Sequence, residues 1–252
     1  MNQPTKGAGG ALGRRLDPEA RYGLRLTLLA VAFLLVAVPF GLLLRQVQHH
    51  GALVRIDTAA ARHLHDWVRG SPVLVSGLKV LTFFGSPPWL WLLVGPAALF
   101  TWRRHHARLA VFLLATAAGG GLLDTVVKIA VNRPRPSLVD SVATAHGKSF
   151  PSGHSMSSTI VYGALLLVFL PVVPRRLRTL LIGGAVMLVG AIGFSRLALG
   201  VHYISDVLGG YVLGLAWLAA SVAAFSTWRV DRGHRPVAPM EGLEPEAAVD
   251  LV

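Results

Sequence analysis

Cysteine is absent from the 252 residues. That excludes disulfide bonds and thiolate metal sites, and it leaves the redox compartment unread. Charge is scarce as well: 14% of residues are charged and 53% are hydrophobic, where soluble domains carry about 25% charged residues. Acids are the scarcest group, with 12 Asp and Glu against 24 Lys and Arg. The resulting net charge of +12 would fit a nucleic-acid binder, but a mean hydropathy of +0.57 and the placement of the cations between apolar runs exclude one. Internal repeats with a period of about 20 to 50 residues are also missing, as is any nucleotide motif that would point to ATP-driven chemistry.

What is present is hydrocarbon-compatible length. A bilayer core of roughly 30 Å takes about 20 apolar residues in helix, and six segments fit or nearly fit: 26–44, 87–102, 109–131, 155–173, 177–194 and 202–225. The second is short unless 80–84 extends it across Gly85-Ser86-Pro87-Pro88. The expected fold is all-α, an integral membrane six-helix bundle at 21–228. The tails 1–20 and 229–252 are rich in Gly, Pro and charge and are expected to be disordered. The first span is expected to be an uncleaved anchor, because its run outlasts a signal-peptide core and no small-residue cleavage site precedes Arg45.

Positive charge in short loops favours the cytoplasmic side. Lys6, Arg14, Arg15, Arg21 and Arg25 precede the first span; Arg103, Arg104 and Arg108 join the second and third. Arg175, Arg176 and Arg178 join the fourth and fifth, and Arg229, Arg232 and Arg235 follow the sixth. The expected protein is therefore a multi-pass cell-membrane protein with both termini in the cytoplasm. Between the first two spans, Leu53, Ile56, Ala60, Leu64 and Trp67 or Val68 recur at helical spacing, with Arg55, Asp57, Arg62, Asp66 and Arg69 among the other positions. This reads as an amphipathic helix at the outer interface, a connector in preference to a substrate gate.

Three polar stretches interrupt the apolar pattern: KIAVNRPRP at 128–136, PSGH at 151–154 and SRLALGVHYISD at 195–206. In the six-span topology all three fall on the extracytoplasmic face. A phosphate monoester carries close to two negative charges, so its transfer calls for fixed cations and aimed donors. Lys128, Arg135 and Arg196 are the candidate clamps, arginine as a two-pronged fork and lysine as a point charge. Ser152, Gly153 and His154 open the fourth helix, where unsatisfied N–H groups and the helix dipole favour an anion. His202 and Asp206 stand four residues apart, one helical turn, so the carboxylate can fix the imidazole tautomer and free the other nitrogen to attack phosphorus. His154 is then the proton donor to the leaving alkoxide and the acceptor from water. A phosphohistidine intermediate follows.

These residues resemble the type 2 phosphatidic acid phosphatase superfamily, which also holds vanadium-dependent haloperoxidases and glucose-6-phosphatase. Its Lys, six residues, Arg-Pro pattern matches Lys128, Arg135 and Pro136. Its Pro-Ser-Gly-His matches 151–154, and its Ser-Arg, five residues, His, three residues, Asp matches Ser195, Arg196, His202 and Asp206. The resemblance implies a six-helix bundle and metal-independent hydrolysis with no cofactor. The apolar chain favours a phosphatase over the typically soluble haloperoxidase branch.

The expected function is a lipid phosphatase acting on phosphatidic acid, phosphatidylglycerol phosphate or undecaprenyl diphosphate in the outer leaflet. The competing reading is an anion or lipid transporter, which has no special need for both histidines and Asp206. Asp124, four residues before Lys128, is a functional candidate as an intramembrane carboxylate, with a structural ion pair to Lys128 the preferred reading. Arg133 and Ser195 read as supporting residues, Arg133 near phosphate or lipid headgroups. Gly210 and Gly214 read as a helix-packing pair.

Overall fold

The structure, a computed structural model, describes residues 38, 40–42, 44–45, 52–138, 142–231, 237 and 241–251. Among them the regular elements are all helical. They are α1 (Ala52–Arg69), α2 (Pro72–Phe83), α3 (Pro87–Arg103), α4 (Ala107–Val131), α5 (Gly153–Phe169), α6 (Arg175–Ala198) and α7 (Ile204–Asp231), with short 3-10 turns at Leu170–Val172 and Pro245–Val249.

Local chemistry sets the boundaries. Ser71 caps α2, its hydroxyl accepting from the Leu74 N–H at 3.4 Å, with Pro72 supplying the preset φ of a first helical residue. Pro87 and Pro88 have no N–H to donate to the preceding turn, so α2 stops and α3 begins anew. The α4 helix closes on Asn132, whose φ of 53° is left-handed. Asn tolerates that conformation better than most residues, and it swings the following RPRP segment out of the helix axis.

Five stretches are long and apolar enough to cross a membrane: Pro72–Arg103, Ala107–Val131, Gly153–Val172, Arg175–Ala198 and Ile204–Val230. Leu122, Val126, Ile129, Leu180, Val186 and Met187 on them are exposed, a surface suited to lipid and a liability in water. The protein is thus a multi-pass membrane protein. Of the expected first span, 26–44, only residues 38, 40–42 and 44 are described, and these are helical; the rest of it, and the tail 1–20, lie outside the described residues.

The α5 span is the central one, with 50% of its most apolar window buried against 11–28% for the other spans. It packs closely on α7 because Gly210 and Gly214 present no side chain there. A Cβ at Gly210 would fall 2.7 Å from the Ser152 carbonyl oxygen, and one at Gly214 would fall 2.9 Å from that of Met156. The expected packing role of this pair is what the helices use. Away from PSGH, Leu90 and Val94 of α3, Leu109 and Leu113 of α4, Val168 of α5 and Phe225 of α7 form the apolar core.

In α1 the apolar residues divide between two faces: Ile56 and Trp67 are each 58% exposed, whereas Val68 is buried together with Asp57, Ala61 and His65. Asp57 is drawn inward by Arg133 and Ser205. At the C-terminus, where a disordered tail was expected from composition, residues 241–251 pack on the bundle. Leu243, Ala247 and Leu251 recur every fourth residue and enter the core, and Arg229 donates to the Leu243 carbonyl and to Glu246 Oε2 at 3.0 Å.

Candidate active site

The polar stretches sit at helix ends that meet at one end of the bundle: the close of α4, the start of α5, the close of α6 and the start of α7. Backbone bonds tie them together. The Ser152 N–H donates to the Asp206 carbonyl at 2.9 Å, and the Ser149 N–H donates to that of Arg133 at 2.9 Å.

His202 lies in the turn before α7 and not inside the helix, which begins at Ile204. Asp206 is the third helical residue, and its Oδ2 reaches back to the Tyr203 N–H at 2.8 Å, the return half of a capping box. The same oxygen takes the Nδ1 side of His202 at 3.4 Å. On the other face of the ring, Arg135 Nη1 stands 3.0 Å from His202 Nε2. A guanidinium can only donate, so Nε2 is the acceptor and Nδ1 carries the proton. The neutral tautomer with an unprotonated Nε2, its lone pair held by Arg135, is therefore dictated from both sides. His202 is 2% exposed, and burial pushes its pKa down to about 4, with Arg135 and Arg196 helping and the Asp206 hydrogen bond and charge opposing. The imidazole is uncharged at neutral pH, as a nucleophile must be.

The cations surround it. Arg135 is held by the carbonyls of Val201 (2.8 Å), Gly147 (3.1 Å) and His146 (3.1 Å). Arg196 donates from Nη1 to Thr82 Oγ1 at 2.9 Å, and its buried Nε has no hydrogen-bond partner. An unmet buried donor costs about 1–3 kcal/mol, a penalty that an arriving anion removes. Lys128 Nζ holds Asp124 Oδ1 at 2.5 Å, the pairing read from their spacing. Both side chains abut Gly153, where a Cβ would fall 3.1 Å from Nζ and 3.2 Å from Asp124 Oδ2. Gly153 is thus the residue that lets the lysine reach the start of α5. His154 lies in electrostatic reach of Arg196, His202, Lys128 and Arg135. Ser152 is fully buried, its N–H is committed to Asp206, and its hydroxyl accepts from Ser155 at 3.1 Å. Its remaining offer to an anion is one hydroxyl proton.

The eight residues singled out from sequence are thus brought to the same end of the bundle. Arg133 does not point toward phosphate or headgroups as expected; it is buried against Asp206 and Asp57, 2.6 and 2.8 Å away. Ser149, Ser205, Thr82 and Asp57 also contribute, and none carries a local pattern. Ser205 lies inside the 195–206 stretch and Ser149 two residues before Pro151, whereas Thr82 and Asp57 lie far from every recognised stretch. Farther along α5, an apolar cavity of about 400 Å³ opens toward α6, lined by Tyr162, Leu165, Phe169, Leu180, Gly184 and Leu188 among others.

Comparison with known proteins gives a consistent picture. The PAP2 superfamily model matches residues 109–229. Phosphatidylglycerophosphatase B of Bacillus subtilis (strain 168) is 31% identical over 181 residues, 70% of this chain and 86% of that protein. Decaprenylphosphoryl-5-phosphoribose phosphatase of Mycolicibacterium smegmatis is 35% identical over 149 residues, 56% of this chain and 73% of that one. A crystal structure of a transmembrane PAP2-type phosphatidylglycerolphosphate phosphatase from Bacillus subtilis superposes with a TM-score of 0.69 at 25% identity, covering 81% of this chain and 97% of that chain.

Proposed function

The chain belongs to the PAP2 superfamily, and on that premise we propose that it is a membrane lipid phosphatase working through a phosphohistidine at His202. The observation that carries this reading is the chain of contacts from Arg135 to His202 Nε2, and from Nδ1 to Asp206. It presents one unprotonated nitrogen at a pocket walled by cations. A transporter site needs the cations but not this tautomer.

In the proposed cycle, Arg135, Arg196 and Lys128, with the N–H groups of Gly153 and His154 and the Ser152 hydroxyl, take the phosphate oxygens. Arg135 then exchanges His202 for the substrate. Nε2 forms a bond to phosphorus as the ester P–O bond breaks in line, and protonated His154 gives its proton to the departing alkoxide. Asp206 stabilises the positive charge on the phosphorylated ring. In the second half, neutral His154 takes a proton from water, the water oxygen bonds to phosphorus, and the Nε2–P bond breaks to release inorganic phosphate. The apolar cavity between α5 and α6 and the exposed apolar helix surface support a lipid chain as the leaving group's tail. Phosphatidic acid, phosphatidylglycerol phosphate and undecaprenyl diphosphate are the candidate substrates.

Phosphate release from these three lipids by the purified protein in detergent, with excess chelator present, tests the activity. Release from none of them, or loss on chelation, would sink the scheme. On an active substrate, His154→Ala is expected to slow turnover by about 10²–10⁴-fold. An activated aryl phosphate, whose leaving group needs no proton, should suffer much less in the phosphorylation step. Equal losses for both would rule out the acid role.

Six spans, α1 at the outer interface, both termini in the cytoplasm and the site on the extracytoplasmic face complete the proposal. Absence of native cysteine makes the sidedness directly readable. Both Lys148, near the site, and Arg104, in the α3–α4 loop, are exposed. In intact cells a membrane-impermeant maleimide is expected to label Lys148→Cys and to spare Arg104→Cys until the membrane is opened; the reverse pattern would invert the topology.

A further inference from the structure

Asp57 and Arg133 touch no phosphate ligand in the proposed cycle, yet both are buried and both lead to the nucleophile. Asp57 is fully buried and Arg133 is 7% exposed. Arg133 donates from Nη1 to Asp206 Oδ1 at 2.6 Å and to Ser205 Oγ at 2.7 Å, and from Nη2 to Asp57 Oδ2 at 2.8 Å. Its guanidinium lies over the Tyr203 ring, 4.2 Å from the centroid. Ser205 closes the figure, its N–H on Asp57 Oδ1 at 3.0 Å and its hydroxyl on Oδ2. The other oxygen of Asp206 is taken by Ser149, Tyr203 N–H and His202.

The charge balance of this network has a chemical consequence. A phosphorylated imidazole carries positive charge, and Asp206 is the nearest carboxylate able to stabilise it. An arginine in direct contact would cancel that carboxylate if it stood alone. Asp57 answers the arginine from the opposite side, so two carboxylates and one guanidinium keep a net charge of minus one beside the ring. At the same time Arg133 claims Oδ1, which leaves Oδ2 turned to His202. Burial makes such pairing strong, because little water screens it.

We propose that Asp57 and Arg133 are positioning residues for the reaction, acting through Asp206: Arg133 fixes the carboxylate's orientation and Asp57 preserves its charge for the phosphohistidine. The α1 helix, read from sequence as a connector, is then part of the catalytic machinery. This inference rests on the phosphohistidine reading above.

The test compares full-length wild-type protein with Asp57→Asn, Arg133→Gln and the double variant. Asp57→Asn makes the network neutral and Arg133→Gln gives it a charge of minus two, while the double variant restores minus one. Each single change is expected to lower kcat by roughly tenfold or more with KM within about twofold. The double variant should exceed both singles in kcat per folded enzyme, whereas the recovery of a purely structural ion pair would show in stability and leave that kcat unmoved. Competitive inhibition by inorganic phosphate, which reads the clamps, should stay near wild type in every variant that folds. The proposal is overturned if losses multiply in the double variant, if KM moves while kcat holds, or if phosphate inhibition falls in step with kcat. Rapid quench into alkaline detergent, where the N–P bond of a phosphohistidine survives, separates the two readings. Wild type that traps no phosphoenzyme defeats the phosphohistidine reading itself; wild type and variants that trap it equally fast defeat only the inference about Asp57 and Arg133.

Discussion

Replacing His202 with alanine is expected to lower kcat by roughly 10⁴-fold or more, the scale on which an enzyme loses its nucleophile. Nothing else near the pocket can substitute: His154 stands on α5, and Arg135 and Arg196 only donate. Wild type quenched in alkaline detergent, which preserves an N–P bond, should carry label from a ³²P-lipid phosphate, and His202→Ala should carry none; label that survives the substitution would move the nucleophile elsewhere. The pH dependence has a defined sign. With burial holding His202 near a pKa of about 4, the ring stays neutral through the physiological range and is lost as a nucleophile only as pH falls through that value. The acid limb of kcat/KM should thus lie well below the ordinary histidine value of about 6.5, once the second phosphate ionisation near about 6 is accounted for. Asp206, which would raise that limb, and Arg135, Arg196 and His154, which face the same ring, are the groups that set it. An enzyme-derived limb at the ordinary value would mean that the buried, neutral ring is not the reacting species.

Arg135→Lys is expected to cost about 2.7–4 kcal/mol of transition-state stabilisation, or roughly 10²–10³-fold in kcat/KM, comparable with loss of an oxyanion donor. The charge survives this substitution, so the size of the loss reports geometry. Arg135 spreads over three backbone carbonyls and His202 Nε2 at once, and a lysine ammonium cannot span them. Two effects combine. The clamp loses its two-pronged grip on phosphate, and the resting enzyme loses the donor that forces Nε2 to be the acceptor. The second effect predicts that exogenous guanidinium restores part of the activity of Arg135→Ala and less of Arg135→Lys, where the ammonium fills the space. Near wild-type kcat/KM in Arg135→Lys would show that charge alone suffices.

Much of the active site was legible before any coordinates, for a physical reason. Lys128, Arg135, Ser152, Gly153, His154, Arg196, His202 and Asp206 fall in three short stretches at the ends of apolar runs, and hydrocarbon tolerates such groups only with a purpose. The apolar runs themselves carried the order of the five described membrane-length helices. The fine placement was less accessible. His202 and Asp206 have helical spacing, yet the helix starts between them, because Asp206 spends its carboxylate on the Tyr203 N–H as well as on the imidazole. The α1 period was legible, but not that Asp57 lies on its buried side, since Arg133 and Ser205 reach it from distant parts of the chain. The packed C-terminal segment was hidden by its Gly, Pro and Glu content, although Leu243, Ala247 and Leu251 hold its contact row.

Sequence alone determined the class of molecule and the inventory of reacting groups, because hydropathy and residue chemistry are properties of the chain that survive without a fold. The tertiary structure alone decided which nitrogen of His202 is unprotonated, that Arg135 meets the imidazole while Arg133 meets Asp206, and that Asp57 belongs with Asp206. Those are matters of a few ångströms between residues that may be 148 positions apart, and no local pattern encodes a distance across the bundle.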